Sequence, residues 1–183
     1  MSEHGGEAPS AWVMRFAPLI ACGARVLDLA CGAGRNARYV ARACGAVVSA
    51  VDRDAAALET LKGTPNISPL LLDLEGEVWP LEGQTFDVVI VTNYLWRPRF
   101  DDLLGCVAPD GVFIYETFAV GNEAFGKPSR PDFLLQPNEL LARVRNRLQI
   151  VAFEQGEVSL PKPAVVQRIA AVGSGCGWPA RLV

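Results

Sequence analysis

The sequence predicts an α/β fold: a doubly wound sheet of seven strands, mostly parallel, with an antiparallel last strand. Three observations carry this reading. Short apolar runs alternate with segments of helical periodicity. Several of those runs are apolar along their whole length, so both faces of the sheet need cover, and alternating helices supply it. The chain ends on two further apolar runs separated by Gly156 and Pro161-Lys162-Pro163, which suits an antiparallel hairpin.

The elements follow in order. Pro9 to Ile20 sets Trp12, Val13, Phe16, Leu19 and Ile20 at helical spacing, so it opens the chain as a helix broken near Pro18, with Trp12 and Phe16 in the core. Arg25–Ala30 is the first strand, Cys31–Asn36 a turn, and Ala37–Cys44 a helix closed by Gly45. Ala46–Val51 is the second strand, and Asp54 caps a helix running to Lys62. A short strand at Pro69–Asp73 and an irregular stretch around Trp79-Pro80 precede a clear strand at Phe86–Thr92. Phe100–Val107 is helical, Pro109-Asp110-Gly111 turns the chain, and Val112–Thr117 is a strand. Phe118–Gln136 lacks sustained periodicity and reads as a long functional or solvated loop. Pro137 starts a helix to Arg147, and Leu148–Phe153 and Ala164–Val172 form the closing pair. Residues 1–8 read as a flexible start, 9–172 as one domain and 173–183 as a frayed tail.

The chain of 183 residues, half of them hydrophobic, holds enough apolar surface for one core. Its formal charge of -3 argues against a phosphate backbone as partner. Five cysteines without a CxxC pair point to reduced thiols and a cytoplasmic location rather than a disulfide framework. One histidine, His4, leaves little for a zinc site or a histidine-based triad, so no metal is expected. No apolar run reaches the length of a membrane span. Oligomeric state is not legible.

The chemistry concentrates after the first three strands. Asp28-Leu29-Ala30-Cys31-Gly32-Ala33-Gly34 delivers an aspartate and then a turn whose small residues let a ligand approach the backbone. Asp52 ends the second strand, 24 residues on, where a carboxylate accepts ribose hydroxyls, and Asp73 ends the third. Such strand ends face the crevice where parallel sheets bind ligands. Gly32-Ala33-Gly34 with Ala37 also satisfies a loose dinucleotide fingerprint, so a nicotinamide oxidoreductase stays open at this point.

Taken together, these residues resemble the class I S-adenosylmethionine-dependent methyltransferases over roughly Pro9 to Val172, with a general likeness to the small tellurite-resistance type. The resemblance implies S-adenosylmethionine as methyl donor and S-adenosylhomocysteine as product. It implies that Asp28 holds the loop and the donor's amino end through water, that Gly32 and Gly34 pass under its methionine and ribose, and that Ala30 and Cys31 are cofactor-binding residues of the same loop. Asp52 takes the ribose hydroxyls with Arg53 beside the adenine, Asp73 and Leu74 receive the adenine, and Asn93 sits near the methyl group. Ala30 stands where the family's motif has its first glycine, and Asp28 where glutamate is commoner.

The acceptor side is less determined. Thr92-Asn93-Tyr94-Leu95-Trp96-Arg97-Pro98 combines amide, aromatic and cationic groups, so Tyr94 and Arg97 are acceptor contacts, although Trp96 and Arg97 also suit packing and exposure. Glu116 and Tyr94 are the groups able to help remove an acceptor proton, and Phe125 lies in the long loop as a further contact. Arg97, Arg99, Lys127 and Arg130 hint at an anionic small molecule. The alternative from another class is a non-catalytic module that binds the donor or its product.

Overall fold

The computed structural model describes residues 8–177; His4 and the ends of the expected flexible start and tail lie outside them. Seven strands form one sheet in the order β3-β2-β1-β4-β5-β7-β6. They are β1 Arg25–Leu29, β2 Val47–Asp52, β3 Ile67–Leu71, β4 Phe86–Thr92, β5 Val107–Phe118, β6 Gln149–Val158 and β7 Ala164–Val172. β1 to β5 pair in parallel, and β7 runs antiparallel to both β5 and β6. The last strand is therefore not at the edge. It slots between β5 and β6, and β6 closes the sheet.

Among the described residues five helices cover the sheet: α1 Ala11–Phe16, α2 Arg35–Cys44, α3 Ala55–Glu59, α4 Phe100–Gly105 and α5 Glu139–Val144. The two-residue period of the strands sorts the core into two layers. Val26, Val48, Ile90 and Ile114 point to α1, α2 and α3, where Trp12, Val40 and Leu58 meet them. Leu27, Leu29, Val91, Phe113 and Tyr115 point the other way, to Phe100 and Leu104 of α4 and Leu140 and Val144 of α5. Ser10 starts α1 by accepting from the Trp12 and Val13 amides, and Asp54 starts α3 by accepting from Ala56 and Ala57.

Several expected boundaries move; β3 spans Ile67–Leu71, so Asp73 lies beyond it rather than ending it, and β6 runs to Val158 rather than Phe153. The helix expected to reach Val107 stops at Gly105, and β5 already begins at Val107. Pro109-Asp110-Gly111 is a bulge within it: Phe86 pairs with Val107, but Val88 pairs with Val112. The helix expected at Pro137 starts at Glu139, because Asn138 is left-handed at φ 63°. The helix expected to run to Lys62 ends at Glu59 and continues as turns. The start of the expected frayed tail is pinned to the bulge, with the Gly173 amide on the Gly111 carbonyl and the Gly175 amide on the Pro109 carbonyl. A Cβ at residue 173 would lie 2.1 Å from the Pro109 oxygen, so only glycine fits there.

The long segment after β5 is also built. Ala119 bridges Leu135, Leu134 and Leu135 are buried, and short 3₁₀ turns span Asn122–Ala124 and Pro131–Phe133. Asn122 donates to the Pro128 carbonyl at 3.0 Å and accepts from the Val165 amide at 3.2 Å, tying the loop to β7. Among the described residues no helix is long and apolar enough to cross a membrane, and no group of His, Cys, Asp and Glu is placed to hold a metal ion.

Candidate functional site

The residues expected to bind a donor lie near the C-terminal ends of β1 to β4, and all of them but Asp28 and Gly34 line one of two compartments there. Two residues without the freedom of glycine are left-handed there: Ala30 at φ 54° after β1 and Asn93 at φ 57° after β4. A left-handed residue with a Cβ costs about 1–2 kcal/mol, and such cost collects where a site dictates the backbone. Ala30 and Asn93 both line a cleft of about 240 Å³ and a groove of about 800 Å³, so the two compartments meet across the ends of these neighbouring strands. The smaller one is lined by Asp52, Arg53, Asp73, Leu74 and Tyr94. The larger holds Gly32, Ala33 and Thr92 at that junction and runs away along α2.

Asp28 sits behind the glycine turn, 1% exposed. Its Oδ2 accepts from the Ala37 amide at 2.9 Å, while Oδ1 is buried with no partner. Gly34 at the start of α2 offers no side chain, so a carboxylate from the strand caps the helix instead. Burial pushes the Asp28 carboxyl up to about 7, against the lowering effect of the Ala37 bond and the Arg35 charge. Gly34 is left-handed at φ 76° and an added Cβ would lie 2.5 Å from the Leu61 side chain, so the turn closes against α3's following turn only with glycine.

Asp52 links the turn to the second strand. Its Oδ2 accepts from the Gly32 amide at 2.7 Å and its Oδ1 from the Asp54 amide at 2.9 Å. Each oxygen keeps a lone pair for a ligand hydroxyl. Asp73, two residues beyond β3, is exposed and accepts from the Glu75 amide at 2.9 Å, and Arg53 pairs with Glu75 at 3.2 Å across the mouth. Leu74 is buried beneath. Cys31 carries a thiol that burial holds well above its ordinary pKa, followed by the charges of Asp28 and Asp52, so it is no nucleophile.

Tyr94 lines this same compartment and also a small enclosed space shared with Trp96, Arg99 and Tyr115. Its carbonyl accepts from the Tyr115 hydroxyl, and its own hydroxyl is buried without a partner. Burial raises the phenol above its ordinary pKa, and the Glu75 charge adds to that, so Tyr94 is a poor proton acceptor partner at neutral pH.

The remaining acceptor-side residues do not join the cleft. Glu116 accepts from Ser10 Oγ at 2.8 Å and pairs with Arg168 at 3.3 Å, in a chain that continues through Glu154 to Arg15. Arg97 grips Glu139 with Nε at 2.8 Å and Nη2 at 2.9 Å, and donates to the Asp132 and Leu134 carbonyls. It clamps the long segment to α5 and lines neither compartment. Arg99 is bound to Asp102 and the Gly76 carbonyl, and Arg130 to Asp132. Phe125 is exposed on the long segment, away from both linings.

Sequence reading missed Asn36. It is 2% exposed, accepts from the Ser10 amide at 2.9 Å and donates to Thr92 Oγ1 at 3.0 Å, joining the start of α1 to the end of β4 beside Asn93. An asparagine in the first turn of a helix after the glycine turn was the only signal, and its partners are 26 and 56 residues away. Three arginines of α2 that line the larger groove were also passed over, although their spacing at 35, 38 and 42 marks one helix face.

Comparison with known proteins agrees with this geometry. Residues 26–111, from β1 into the β5 bulge, match the family model of a methyltransferase domain. No curated protein sequence matches the chain. Among solved structures, TehB from Haemophilus influenzae superposes with a TM-score of 0.78 at 19% identity, over 93% of this chain and 64% of that one. The chain thus spans under two thirds of TehB's length. A putative S-adenosylmethionine-dependent methyltransferase from Listeria monocytogenes gives 0.64 at 17% identity, over 89% and 98% of the two chains. The N-methyltransferase NodS from Bradyrhizobium japonicum gives 0.66 at 16% identity, over 88% and 92%. At these identities the structures establish the fold, and the antiparallel β7 between β5 and β6 belongs to it. Residues 26–111 thus match a methyltransferase domain, and the seven-stranded sheet that carries them has the class I methyltransferase fold.

Proposed function

We propose that the chain moves a methyl group from S-adenosylmethionine to a small-molecule acceptor, with the donor's nucleoside in the cleft of Asp52 and Asp73. The observation that carries this is a pair of orphaned polar atoms, Asp28 Oδ1 and the Tyr94 hydroxyl, both buried without a partner. Unpaired buried groups cost about 1–3 kcal/mol each, and a ligand bearing ammonium, hydroxyl and adenine groups supplies what they lack. When bound, S-adenosylmethionine supplies an electrophilic methyl on a sulfonium.

The chain's own part is to bind and align. Asp28, behind the turn, reaches the donor's amino end through water, Asp52 accepts from its ribose through its free lone pairs, and Asp73 with Leu74 and Arg53 frames the adenine. Gly32 has nothing within 4 Å of an added Cβ, so the space over the turn is open to the methionine chain. Asn93, fixed by its amide on the Glu116 carbonyl at 2.9 Å, presents its side chain where the compartments meet. In-line displacement needs alignment and exclusion of water more than a proton acceptor. Glu116 is locked to Ser10 and Arg168, and the Tyr94 phenol is hard to ionise. Neither is assigned as a base, and the acceptor arrives with an available lone pair. Five free cysteines fit a reducing, cytoplasmic setting.

Calorimetry with S-adenosylhomocysteine tests the reading. Wild-type protein binds, and Asp52→Ala weakens binding by about 1.5–3 kcal/mol, the range for a hydrogen bond to a charged group. Unchanged affinity in Asp52→Ala, with the fold intact by circular dichroism, overturns the ribose role.

A further inference from the structure

The larger groove extends well past the donor's side of the glycine turn. It follows the outward face of α2 toward Thr64, Pro65 and Asn66 at the foot of β3. The sequence of that helix, RNARYVARAC, contains three arginines and no acid. Arg35, Arg38 and Arg42 stand at positions i, i+3 and i+7, so their Cα atoms share one face and span about 10 Å along the axis. All three line the groove.

Their environment is unlike that of most other arginines; Arg25 and Arg145 also lack a carboxylate partner among the described residues, but neither lines the groove. Arg15, Arg53, Arg97, Arg99, Arg130, Arg143, Arg147 and Arg168 each pair with a carboxylate. Among the described residues none of the three on α2 does. Arg35 donates to the Ala8 carbonyl at 3.2 Å, and Arg38 to the Ala33 carbonyl and, at 2.6 Å, to the Thr60 carbonyl. Those neutral acceptors hold the Arg35 and Arg38 guanidinium groups in place, with no carboxylate in ion-pair contact among the described residues. Arg42 is exposed and has no hydrogen-bond partner among the described residues. A cationic row in a groove, two of its three members held in place, on a chain of net charge -3, is a local field built against the charge of the molecule.

We propose that this groove recognises a small polyanion bearing two or three phosphate or carboxylate groups, the anionic portion of the methyl acceptor. The acceptor role rests on the methyl-transfer reading above. The anionic groups lie over Arg42, Arg38 and Arg35, and the opposite end of the ligand reaches Thr92 and Asn93, which line the same groove at its junction with the donor cleft. Guanidinium groups held by carbonyls lose little freedom when an anion arrives, which favours planar, oriented contacts. A nucleic acid would need cationic surface beyond one helix face, which the overall charge opposes.

The test uses the full chain and two probes, inorganic tripolyphosphate and citrate, titrated by calorimetry at low and high salt, with S-adenosylhomocysteine titrated in parallel. One or both probes bind, more weakly as salt rises, and which one binds tighter separates phosphate from carboxylate chemistry. Arg42→Gln weakens that binding by about tenfold, as loss of one charge-assisted contact does. It leaves S-adenosylhomocysteine affinity unchanged, and Arg42→Lys keeps most of the binding. Arg145→Gln, an exposed arginine at the end of α5, is the control and changes nothing. Absence of binding by both probes, or equal weakening by Arg145→Gln, overturns the groove. An RNA hairpin binding a hundredfold tighter than tripolyphosphate overturns the small-molecule assignment. Wild-type protein that binds the anion but not S-adenosylhomocysteine overturns the acceptor role and the methyl-donor reading while the groove itself stands.

Discussion

Asp28 of β1 and Ala37 of α2 are joined by one hydrogen bond of 2.9 Å, so the strand's carboxylate is the cap of the helix that follows the glycine turn. The bond uses Oδ2 only, and the partnerless Oδ1 makes the ionised form expensive.

The pH dependence of stability follows from that. The folded carboxyl sits at about 7 against an ordinary 3.8, so it binds its proton more tightly folded than unfolded. Its contribution to stability is complete below about pH 4 and is lost as pH rises through 7, on the order of 4 kcal/mol in all. Wild-type protein without ligand therefore loses melting temperature between pH 5 and pH 8, and Asp28→Asn, whose amide oxygen still caps Ala37, flattens the decline. Parallel declines in both proteins would show that Asp28 does not titrate in this range. A donor ammonium near Oδ1 favours the ionised form, so S-adenosylhomocysteine binding at pH 6.5 releases protons, visible as different calorimetric heats in two buffers.

Gly34→Ala tests the turn itself. The residue is left-handed, and the new Cβ would press within 2.5 Å of Leu61, which is fully buried and has nowhere to swing. Strain and overpacking together cost about 2–4 kcal/mol. Thermal unfolding reads the loss, and adding Leu61→Ala recovers none of the backbone strain but relieves the clash, so the double variant is less destabilised than the two single losses added.

Much of this architecture was legible because strands and helices write their faces into local periodicity. The alternation of Val26, Leu27, Asp28 and Leu29 between two core layers, the Asp54 cap, and the gathering of Asp28, Asp52 and Asp73 at one sheet end all follow from nearby residues. What local pattern does not encode is pairing between distant segments. The insertion of β7 between β5 and β6, the bulge at Pro109 to Gly111 set by Gly173, and the bond from Arg97 to Glu139, 42 residues on, depend on partners no window contains. Arg97 looked like a ligand contact for that reason: its charge was visible and its carboxylate was not.

Arg97→Ala separates structure from binding. Burial works to raise the Glu139 carboxyl, yet the bonds from Arg97, the Gln136 amide and Arg143 more than offset it and hold it down at about 2. A depressed carboxylate contributes stability that is present above about pH 4.5 and lost as pH falls through 2. Without Arg97 the Glu139 charge is left half-paired, and the Asp132 and Leu134 carbonyls lose their donor. The variant loses about 2–4 kcal/mol at neutral pH and its acid unfolding limb shifts to higher pH, while S-adenosylhomocysteine affinity stays within twofold by calorimetry. A large drop in that affinity with little loss of stability would return Arg97 to the binding site.

Tyr94→Phe sets the two states of the pocket against each other. In the free protein the hydroxyl is buried without a partner, so removing it deletes an unsatisfied group and raises the melting temperature, by an amount equivalent to about 1 kcal/mol. If the nucleoside gives that hydroxyl a partner, the same change weakens S-adenosylhomocysteine binding by about 0.5–1.5 kcal/mol, the net worth of a neutral hydrogen bond. The signature is thus a more stable free protein with a smaller ligand-induced shift in melting temperature. A variant that is less stable when free would mean the hydroxyl already has a partner there, and an undiminished ligand shift would place Tyr94 beside the donor as a packing surface only.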